Sequence, residues 1–353
     1  MDYNITMLKR IYKNKRTKEL ALLFTIISLL IITQTSCSSK QDPVSEEGYY
    51  LDTVCNITVY DIQSGDEKRA KEAIENAYKI CAKYENLLSK TREESDIYKI
   101  NHARGKVVKC KTETVSLLKK AIGYGELSNG DFDVTIGKAT DLWNFHSEKP
   151  KVPDSEKVQD AIKHVNYRNI SISGDNVSLS DPNAEIDLGG IAKGFIADKV
   201  TVELEKAGVK SAIINLGGNV SVIGEKGDEK FSIGIRKPFS DPEDVLGTVE
   251  VSNKTVVTSG SYERYFEKGG KKYHHILDPK TGFPRDSDLI SVTVIGEKNK
   301  SVDCDALATI CFMAGEKRGK KIINRLGKYK AIFVRTDGSI SEAGSLPIEA
   351  KFL

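Results

Sequence analysis

The sequence predicts an α+β fold in which mixed or antiparallel sheets pack with helices. Two segments early in the chain, residues 66–90 and 112–128, have the apolar period of amphipathic helices. Short runs rich in β-branched residues alternate with such helices, and those in residues 211–258 follow one another as antiparallel strands do. The 353 residues contain no repeat and are 39% hydrophobic, which suits a large soluble domain.

The predicted elements follow from periodicity and from turn residues. In the first helix, Ile74 and Cys81 lie on one apolar face with charged residues between them. A glycine after the periodic residues ends the third helix. The predicted helices cover residues 66–90, 112–128, 193–208, 302–315 and 317–327. The predicted strands cover residues 55–60, 170–179, 211–216, 231–236, 289–295 and 331–335.

The N-terminal segment, residues 1–36, is typical of an export signal. It carries six basic and two acidic residues, and an apolar run extends from Leu20 to Ile32. Such a run is too short to span a bilayer, which takes roughly 20 residues. It has the length of the apolar region of a signal peptide, so we expect the protein to be exported.

The residues before Cys37 are similar to the lipobox of bacterial lipoproteins, with Gln34 where leucine is usual. This pattern predicts acylation of Cys37, a polar tether over residues 37–48 and a folded domain over residues 49–353. A lipid anchor would hold the protein on a bacterial membrane, facing the periplasm or the cell exterior. The alternative is ordinary signal cleavage, with Cys37 incidental.

Charge and cysteine content exclude several classes of function. The net charge of +3 arises in the basic leader, so the rest of the chain is nearly neutral. Nucleic-acid binding requires clustered lysine and arginine, and we therefore predict none. The sequence has no CxxC pair and too few cysteines for a disulfide scaffold, so we predict no thiol chemistry. The cysteines after Cys37 are Cys55, Cys81, Cys110, Cys304 and Cys311.

Four stretches combine glycine with charged or hydroxyl side chains more densely than packing requires. They are residues 128–137, residues 187–195 with 215–219 downstream, residues 258–264 leading into 274–282, and residues 305–309. Glycines such as Gly190 let the backbone approach a ligand closely. The helix that begins near Lys193 offers free N–H groups and a positive dipole to phosphate. The alternative is that the glycines only make tight turns.

Two pairs of polar residues indicate chemistry. Asp305 and Thr309 are four residues apart on a predicted helix, so their side chains share one face. Carboxylate and hydroxyl oxygens suit Mg²⁺, although Thr309 could instead bond to its own helix. His274 and His275 are neighbours on a predicted strand and face opposite ways, so only one of them is expected in a site.

Together, these motifs resemble the ApbE family, the FAD:protein FMN transferases, over essentially the whole mature chain. The resemblance implies an α+β, T-fold-like architecture and an Mg²⁺-dependent reaction with FAD as substrate. FMN would pass through a phosphoester bond onto a Thr or Ser hydroxyl of an acceptor protein, with release of AMP. Acceptors would be proteins such as the flavin-carrying subunits of membrane redox pumps.

The resemblance also implies roles for individual residues. The metal ligands would be the Gly190 carbonyl, the Asp305 carboxylate and the Thr309 hydroxyl. His275, the second histidine of the segment, is the candidate for the catalytic base, and Asp187 is the second candidate. Contacts with FAD are implied for Leu51, Asp131, Phe132, Asp133, Asp187, Lys193 and the backbone near Leu277.

Two departures from the family pattern affect the flavin cradle. Leu51-Asp52-Thr53 stands where Met-Gly-Thr is common, and Thr91 lies in a segment that often holds an aromatic residue. Two other functions remain open at this point. A pyrophosphatase of the same family would cut FAD to FMN and AMP with water and would share every motif. A non-catalytic flavin-binding lipoprotein would not need the Asp305 and Thr309 pair.

Overall fold

The computed structural model describes residues 42–353 except 64, 146, 148 and 242. The first eight strands of the described residues are β1 (Val44–Tyr50), β2 (Thr53–Ile62), β3 (Val108–Lys109), β4 (Ile170–Ser173), β5 (Asn176–Leu179), β6 (Val209–Leu216), β7 (Asn219–Ile223) and β8 (Phe231–Arg236). The others are β9 (Val245–Val251), β10 (Lys254–Gly260), β11 (Tyr265–Lys268), β12 (Lys271–His274), β13 (Leu289–Glu297), β14 (Lys330–Arg335), β15 (Ile340–Ala343) and β16 (Glu349–Phe352).

Seven α-helices lie between these strands in the described part of the chain. They are α1 (Glu67–Leu88), α2 (Asp96–His102), α3 (Thr112–Ser128), α4 (Gly137–Trp143), α5 (Ser155–Ile162), α6 (Ala192–Lys206) and α7 (Ser301–Leu326). None of these helices is long and apolar enough to cross a membrane.

The described residues build three layers. The central sheet has eight strands in the order β1-β2-β6-β7-β10-β13-β14-β15, and each neighbouring pair is antiparallel. Helices α1, α6 and α7 cover one face and share with it the main apolar core. The other face packs on the sheet β16-β9-β8 through a second core that includes Val222, Ile235 and Ile295. The predicted α+β class with antiparallel sheets is confirmed.

A smaller unit lies beside these layers. Helices α4 and α5 and the hairpin β11–β12 surround Trp143, which is fully buried among Phe145, Phe266, Tyr273 and Phe283. The Trp143 indole N–H donates to the Gly282 carbonyl at 2.7 Å. This cluster fixes the hairpin and the 274–282 segment against the rest of the domain.

The predicted helices are confirmed with small shifts at their ends. The helices predicted over residues 302–315 and 317–327 are the two halves of α7, which are separated at Gly315, where φ is 72° and the backbone is not helical. The strand predicted over residues 170–179 is instead a hairpin of β4 and β5, because Gly174 turns the chain with a φ of 59°. The sequence reading missed the short helices α2, α4 and α5.

The N-terminal edge of the domain differs from the expected tether. Residues 44–48, expected within the polar tether, form most of β1 and pair with β2. The strand escaped notice because it is an edge strand whose exposed positions carry Ser45, Glu46 and Glu47. Polar residues at an edge strand also discourage pairing with other chains. Cys37 and the predicted signal, residues 1–36, lie outside the described residues.

Candidate active site

Helices α6 and α7 cross where Gly194 meets the first turn of α7. A side chain at Gly194 would collide with the Ser301 carbonyl, so only glycine allows this approach. The Gly194 N–H donates to Asp305 Oδ2 at 2.9 Å. One amide of the α6 N-terminus is thereby committed to the Asp305 carboxylate.

Thr309 and Gly190 lie next to this crossing. The Thr309 hydroxyl is 3.2 Å from the Ser259 hydroxyl at the end of β10. A Cβ added at Gly190 would lie 3.8 Å from Thr309 Oγ1 and 3.1 Å from the Phe132 ring. The structure therefore brings Gly190 and Thr309 together, and Thr309 shares its helix with Asp305. That these three residues bind a metal stays a prediction.

The Asp305 carboxylate is buried without a neutralising ion pair. Its residue is 4% exposed, and no lysine, arginine or histidine nitrogen of the described residues lies within 4 Å of it. Burial raises the pKa of Asp305, although the Lys193 charge and the Gly194 N–H oppose that rise. A divalent cation would supply the missing positive charge, and the donor set of carboxylate, hydroxyl and carbonyl oxygens fits Mg²⁺.

This site would be poor in protein carboxylates. No group of three or more His, Cys, Asp or Glu side chains suited to a metal occurs among the described residues. Mg²⁺ commonly completes its coordination with water and substrate phosphates. The residues therefore fit a cation that binds together with a phosphate ligand.

His275 lies near Lys193 and has a ring nitrogen without a hydrogen-bond partner among the described residues. Its main-chain N–H donates to the Arg264 carbonyl at 3.0 Å, which fixes the residue after β12. The Nδ1 atom is enclosed and has no hydrogen-bond partner in the described part of the chain. Burial and the charges of Lys193 and Arg264 lower the pKa of His275 to about 3. The ring is therefore neutral near pH 7, and its Nδ1 is free to accept a hydrogen bond.

His274 is the last residue of β12, and both of its ring nitrogens have hydrogen-bond partners. Its Nε2 donates to the Arg285 carbonyl at 3.1 Å, and its Nδ1 accepts from the Ile276 N–H at 3.3 Å. The ring also packs edge-on against Phe312. Both nitrogens are satisfied, so His274 holds the loop in place.

Asp187 has its carboxylate oxygens occupied. Oδ2 accepts from the Thr140 hydroxyl at 2.7 Å and from the Lys90 ammonium at 2.9 Å, and Oδ1 accepts from the Gly189 N–H at 2.8 Å. Burial alone would raise the pKa of Asp187, but these donors outweigh burial and keep that pKa below its ordinary value. An ionised, fully engaged carboxylate is a weaker candidate for the base than His275.

Two other predicted FAD contacts, Asp131 and Asp133, have structural partners. Asp131 lies within 2.8 Å of the Lys280 ammonium and 2.9 Å of the Arg318 guanidinium. Asp133 accepts from the Thr135 hydroxyl and from a main-chain N–H at residue 167. These bonds hold the loop that presents Phe132 to Gly190. That the two carboxylates touch FAD stays a prediction.

Leu51 and Leu277 are the remaining residues for which a contact with FAD was predicted. Leu51 has a left-handed φ of 57°, and its N–H donates to Glu85 Oε2 at 3.3 Å. The next residue, Asp52, also has a positive φ, and its main-chain carbonyl accepts from the Arg264 guanidinium at 3.0 Å. Leu277 buries its side chain in the Trp143 cluster. FAD contacts at Leu51 and near Leu277 stay predictions.

Sequence reasoning missed two ionisable residues of the site. Glu263 lies in the 258–264 stretch, but nothing in the sequence assigned it a role. Burial and the Asp305 charge raise the pKa of Glu263 to about 7, although the Lys193 charge opposes that rise. Lys90 lies two residues after the end of α1, and no sequence motif includes it. Its partner Asp187 lies far along the chain, so only the fold brings the two together.

A buried carboxylate, a lysine at a helix N-terminus and a neutral histidine with a free nitrogen are groups that suit a phosphate ligand and a divalent cation. The sequence model of the ApbE family matches residues 51–333. The chain belongs to the ApbE family.

Relatives and solved structures agree with this assignment. The chain is 36% identical to the FAD:protein FMN transferase of Klebsiella pneumoniae (strain 342), covering 74% of this chain and 82% of that protein. It is 32% identical to that of Treponema pallidum (strain Nichols), over 84% and 85%. The ApbE protein of Thermotoga maritima superposes with a TM-score of 0.77 at 32% identity, over 86% of this chain and 97% of that one.

Proposed function

We propose that the protein transfers FMN from FAD to a Thr or Ser hydroxyl of an acceptor protein, in an Mg²⁺-dependent reaction that releases AMP. Membership of the ApbE family and relatives named FAD:protein FMN transferases support this class of reaction. The observation that carries the proposal is the enclosed Nδ1 of His275, unpartnered among the described residues, near Lys193, whose charge also acts on Asp305.

The chemistry is a phosphoryl transfer. The acceptor oxygen attacks the phosphorus of the FMN half, the bond from that phosphorus to the bridging oxygen breaks, and AMP leaves with that oxygen. The hydroxyl proton would pass to Nδ1 of His275, which has no hydrogen-bond partner among the described residues. The negative charge of a bound pyrophosphate would oppose the Lys193 and Arg264 charges that lower the pKa of His275, and would make the ring a better base. Such reactions depend mainly on positioning and on neutralising phosphate charge.

Lys193 and the predicted metal ligands would neutralise the phosphate charge. Lys193, at the N-terminus of α6, contributes an ammonium to the pyrophosphate together with nearby main-chain amides. Asp305, Thr309 and the Gly190 carbonyl would hold Mg²⁺. When bound, Mg²⁺ would neutralise negative charge on the pyrophosphate and on the departing AMP. Asp187 would support the Gly189–Gly190 turn, which leaves His275 as the proton acceptor.

The test is incubation with FAD, Mg²⁺ and a candidate acceptor protein, followed by intact-protein mass spectrometry. We expect a covalent FMN adduct on the acceptor and one equivalent of AMP for each adduct. An acceptor with its hydroxyl residue replaced by alanine is the control and should stay unmodified. Release of FMN and AMP without an adduct would instead indicate the pyrophosphatase. Binding of FAD without AMP release would indicate a flavin-binding protein.

We also propose that acylated Cys37 anchors the exported protein to a bacterial membrane. The basic leader, its apolar run and the small residues before Cys37 support this proposal. Suitable acceptors would then be flavin-carrying subunits of redox pumps in the same membrane. A Cys37→Ser variant should move from the membrane fraction into the soluble exported fraction. Unchanged membrane partitioning would contradict the lipid anchor.

A further inference from the structure

Lys90 joins three segments around the candidate site. Its ammonium lies 2.9 Å from Asp187 Oδ2, 2.6 Å from Asp141 Oδ1 and 2.8 Å from the Thr140 hydroxyl. The Lys90 side chain is only 21% exposed, so this cation is largely removed from water. The segment after α1, helix α4 and the loop that begins at Asp187 therefore meet at one charge.

The geometry links Lys90 to the predicted metal ligand Gly190 in two steps. Lys90 and Thr140 hold one oxygen of Asp187, and the other oxygen accepts from the Gly189 N–H at 2.8 Å. A Cβ at Gly189 would lie 3.1 Å from that second oxygen, so the turn is closed tightly around the carboxylate. The next residue, Gly190, lies against Thr309.

Loss of Lys90 would leave Asp187 without its only cation within 3 Å among the described residues. The carboxylate could then rotate towards water and release the Gly189 N–H. Groups that orient metal ligands from the surrounding shell typically contribute 10–100-fold to metal affinity. Lys90 would be such a group, because it contacts Asp187 and not the predicted ligand Gly190 itself.

We propose that Lys90 is a positioning residue that fixes the Gly189–Gly190 turn for metal binding through Asp187. This inference rests on the proposed function in one respect, the use of the Gly190 carbonyl as a metal ligand.

The experiment measures Mn²⁺ as a probe of the Mg²⁺ site. Mn²⁺ binding to the full chain with FAD is followed by electron paramagnetic resonance for the parent, Lys90→Met and Lys90→Arg. The matched control is Lys254→Met, because Lys254 is 18% exposed and pairs with Glu297 at 2.9 Å at the start of β10, the opposite end from Ser259. Thermal unfolding of each variant is recorded in parallel.

We expect Lys90→Met to weaken Mn²⁺ binding at least about tenfold. Lys90→Arg should restore part of the affinity, and Lys254→Met should bind as the parent does. At saturating Mn²⁺, the FMN transfer rate of Lys90→Met should return close to the parent rate, since the lysine does not touch the reacting atoms.

Unchanged Mn²⁺ affinity in folded Lys90→Met would overturn the inference, and so would a parent chain that binds no Mn²⁺. A lower unfolding temperature with unchanged affinity would reduce Lys90 to a structural role and would also overturn it. Failure of the proposed function has a different outcome, in which the parent binds Mn²⁺ but modifies no acceptor. The dependence of Mn²⁺ affinity on Lys90 would then still stand.

Discussion

Asp303 and Asp305 lie two residues apart at the start of α7, and their surroundings are opposite. The Asp303 carboxylate receives the Lys120 ammonium and the Tyr124 hydroxyl, both at 2.7 Å, and the Tyr329 hydroxyl at 3.2 Å. Burial alone would raise the pKa of Asp303, but these donors lower it below its ordinary value. Asp305 is as deeply buried, yet its pKa is raised because only Lys193 and the Gly194 N–H oppose burial.

From this difference we expect Asp303 to be a structural carboxylate and Asp305 a functional one. A buried charge is costly unless partners in the protein compensate it. At Asp303 the protein supplies the partners, and the carboxylate joins α3, α7 and the segment before β14. At Asp305 the compensation is incomplete, which leaves the carboxylate able to bind an added cation.

The two histidines repeat this contrast. His274 has both ring nitrogens hydrogen-bonded within the protein, whereas Nδ1 of His275 is enclosed and unpartnered in the described residues. In both pairs the residues are sequence neighbours of the same chemical type. Completeness of their hydrogen bonding is therefore a better guide to function here than residue type.

The largest expected effect is at Asp305. Asp305→Asn keeps the shape of the side chain and removes the charge that would bind the cation. We expect the FMN transfer rate to fall at least about a thousandfold, since a metal supplies several kcal/mol of charge stabilisation. Transfer is measured at saturating Mg²⁺, and Asp305→Ala should behave in the same way.

Asp303→Asn is the matched control. It removes the same charge two residues away, and we expect a loss of about 2 kcal/mol in the free energy of unfolding, because hydrogen bonds to a charged group are weakened. The transfer rate of the folded protein should stay near that of the parent. If Asp303→Asn abolished transfer while remaining folded, the proposed division between the two carboxylates would be wrong.

His275→Ala should have the next largest effect. A general base typically contributes about 10²–10⁴-fold, so we expect a loss of that size in single-turnover FMN transfer with FAD affinity nearly unchanged. His274→Ala should instead lower stability, because its two hydrogen bonds hold the 274–285 loop. A His275→Ala variant that loses FAD affinity but keeps its saturated rate would make Asp187 the base to test.

Lys193→Met should have a smaller effect, which falls on both FAD affinity and the FMN transfer rate. On the proposed mechanism the ammonium would contact the pyrophosphate before and during the reaction, so its loss should weaken FAD binding as well as the rate. An effect of about tenfold or more on each is expected for one charge-assisted interaction. Titration of FAD by flavin fluorescence gives the affinity, and rapid-quench transfer gives the rate. Loss of rate alone would restrict Lys193 to the transition state.

Much of the site could be predicted because its residues lie in compact motifs. Asp305 and Thr309 share a helix face, and Gly190 and Lys193 lie in one loop-to-helix segment, so local spacing already brings each pair together. Strand alternation predicted only that one of His274 and His275 enters the site, and the choice of His275 came from the resemblance to the family. The resemblance to the ApbE family, which belongs to the whole set of motifs, supplied the roles.

The remainder depended on contacts between distant segments. Lys90 has no motif, and only the packing of α4 against the end of α1 places it on Asp187. Sequence also could not indicate that the Asp131 and Asp133 carboxylates are engaged by Lys280, Arg318 and Thr135. Edge strand β1 was hidden because an exposed edge needs no apolar alternation.

The protonation of His275 gives the prediction with the smallest effect on the protein. Its pKa in the folded chain is about 3, against an ordinary value of 6.5, because burial and the nearby cations disfavour the charged ring. His275 should therefore stay neutral between pH 8 and pH 5. Histidine ring signals in a nuclear magnetic resonance titration check this, with His275→Gln to assign the resonance.

The same shift has a consequence for stability, and its sign follows from proton binding. Below about pH 6.5 the unfolded chain protonates His275 while the folded chain does not, so acid favours the unfolded state until the pH approaches 3. His275→Gln removes this difference, and its unfolding free energy should fall less steeply than that of the parent between pH 7 and pH 5. A His275 signal that titrates near pH 6.5 would mean that the ring is solvated or paired. The contrast with His274 would then no longer identify the base.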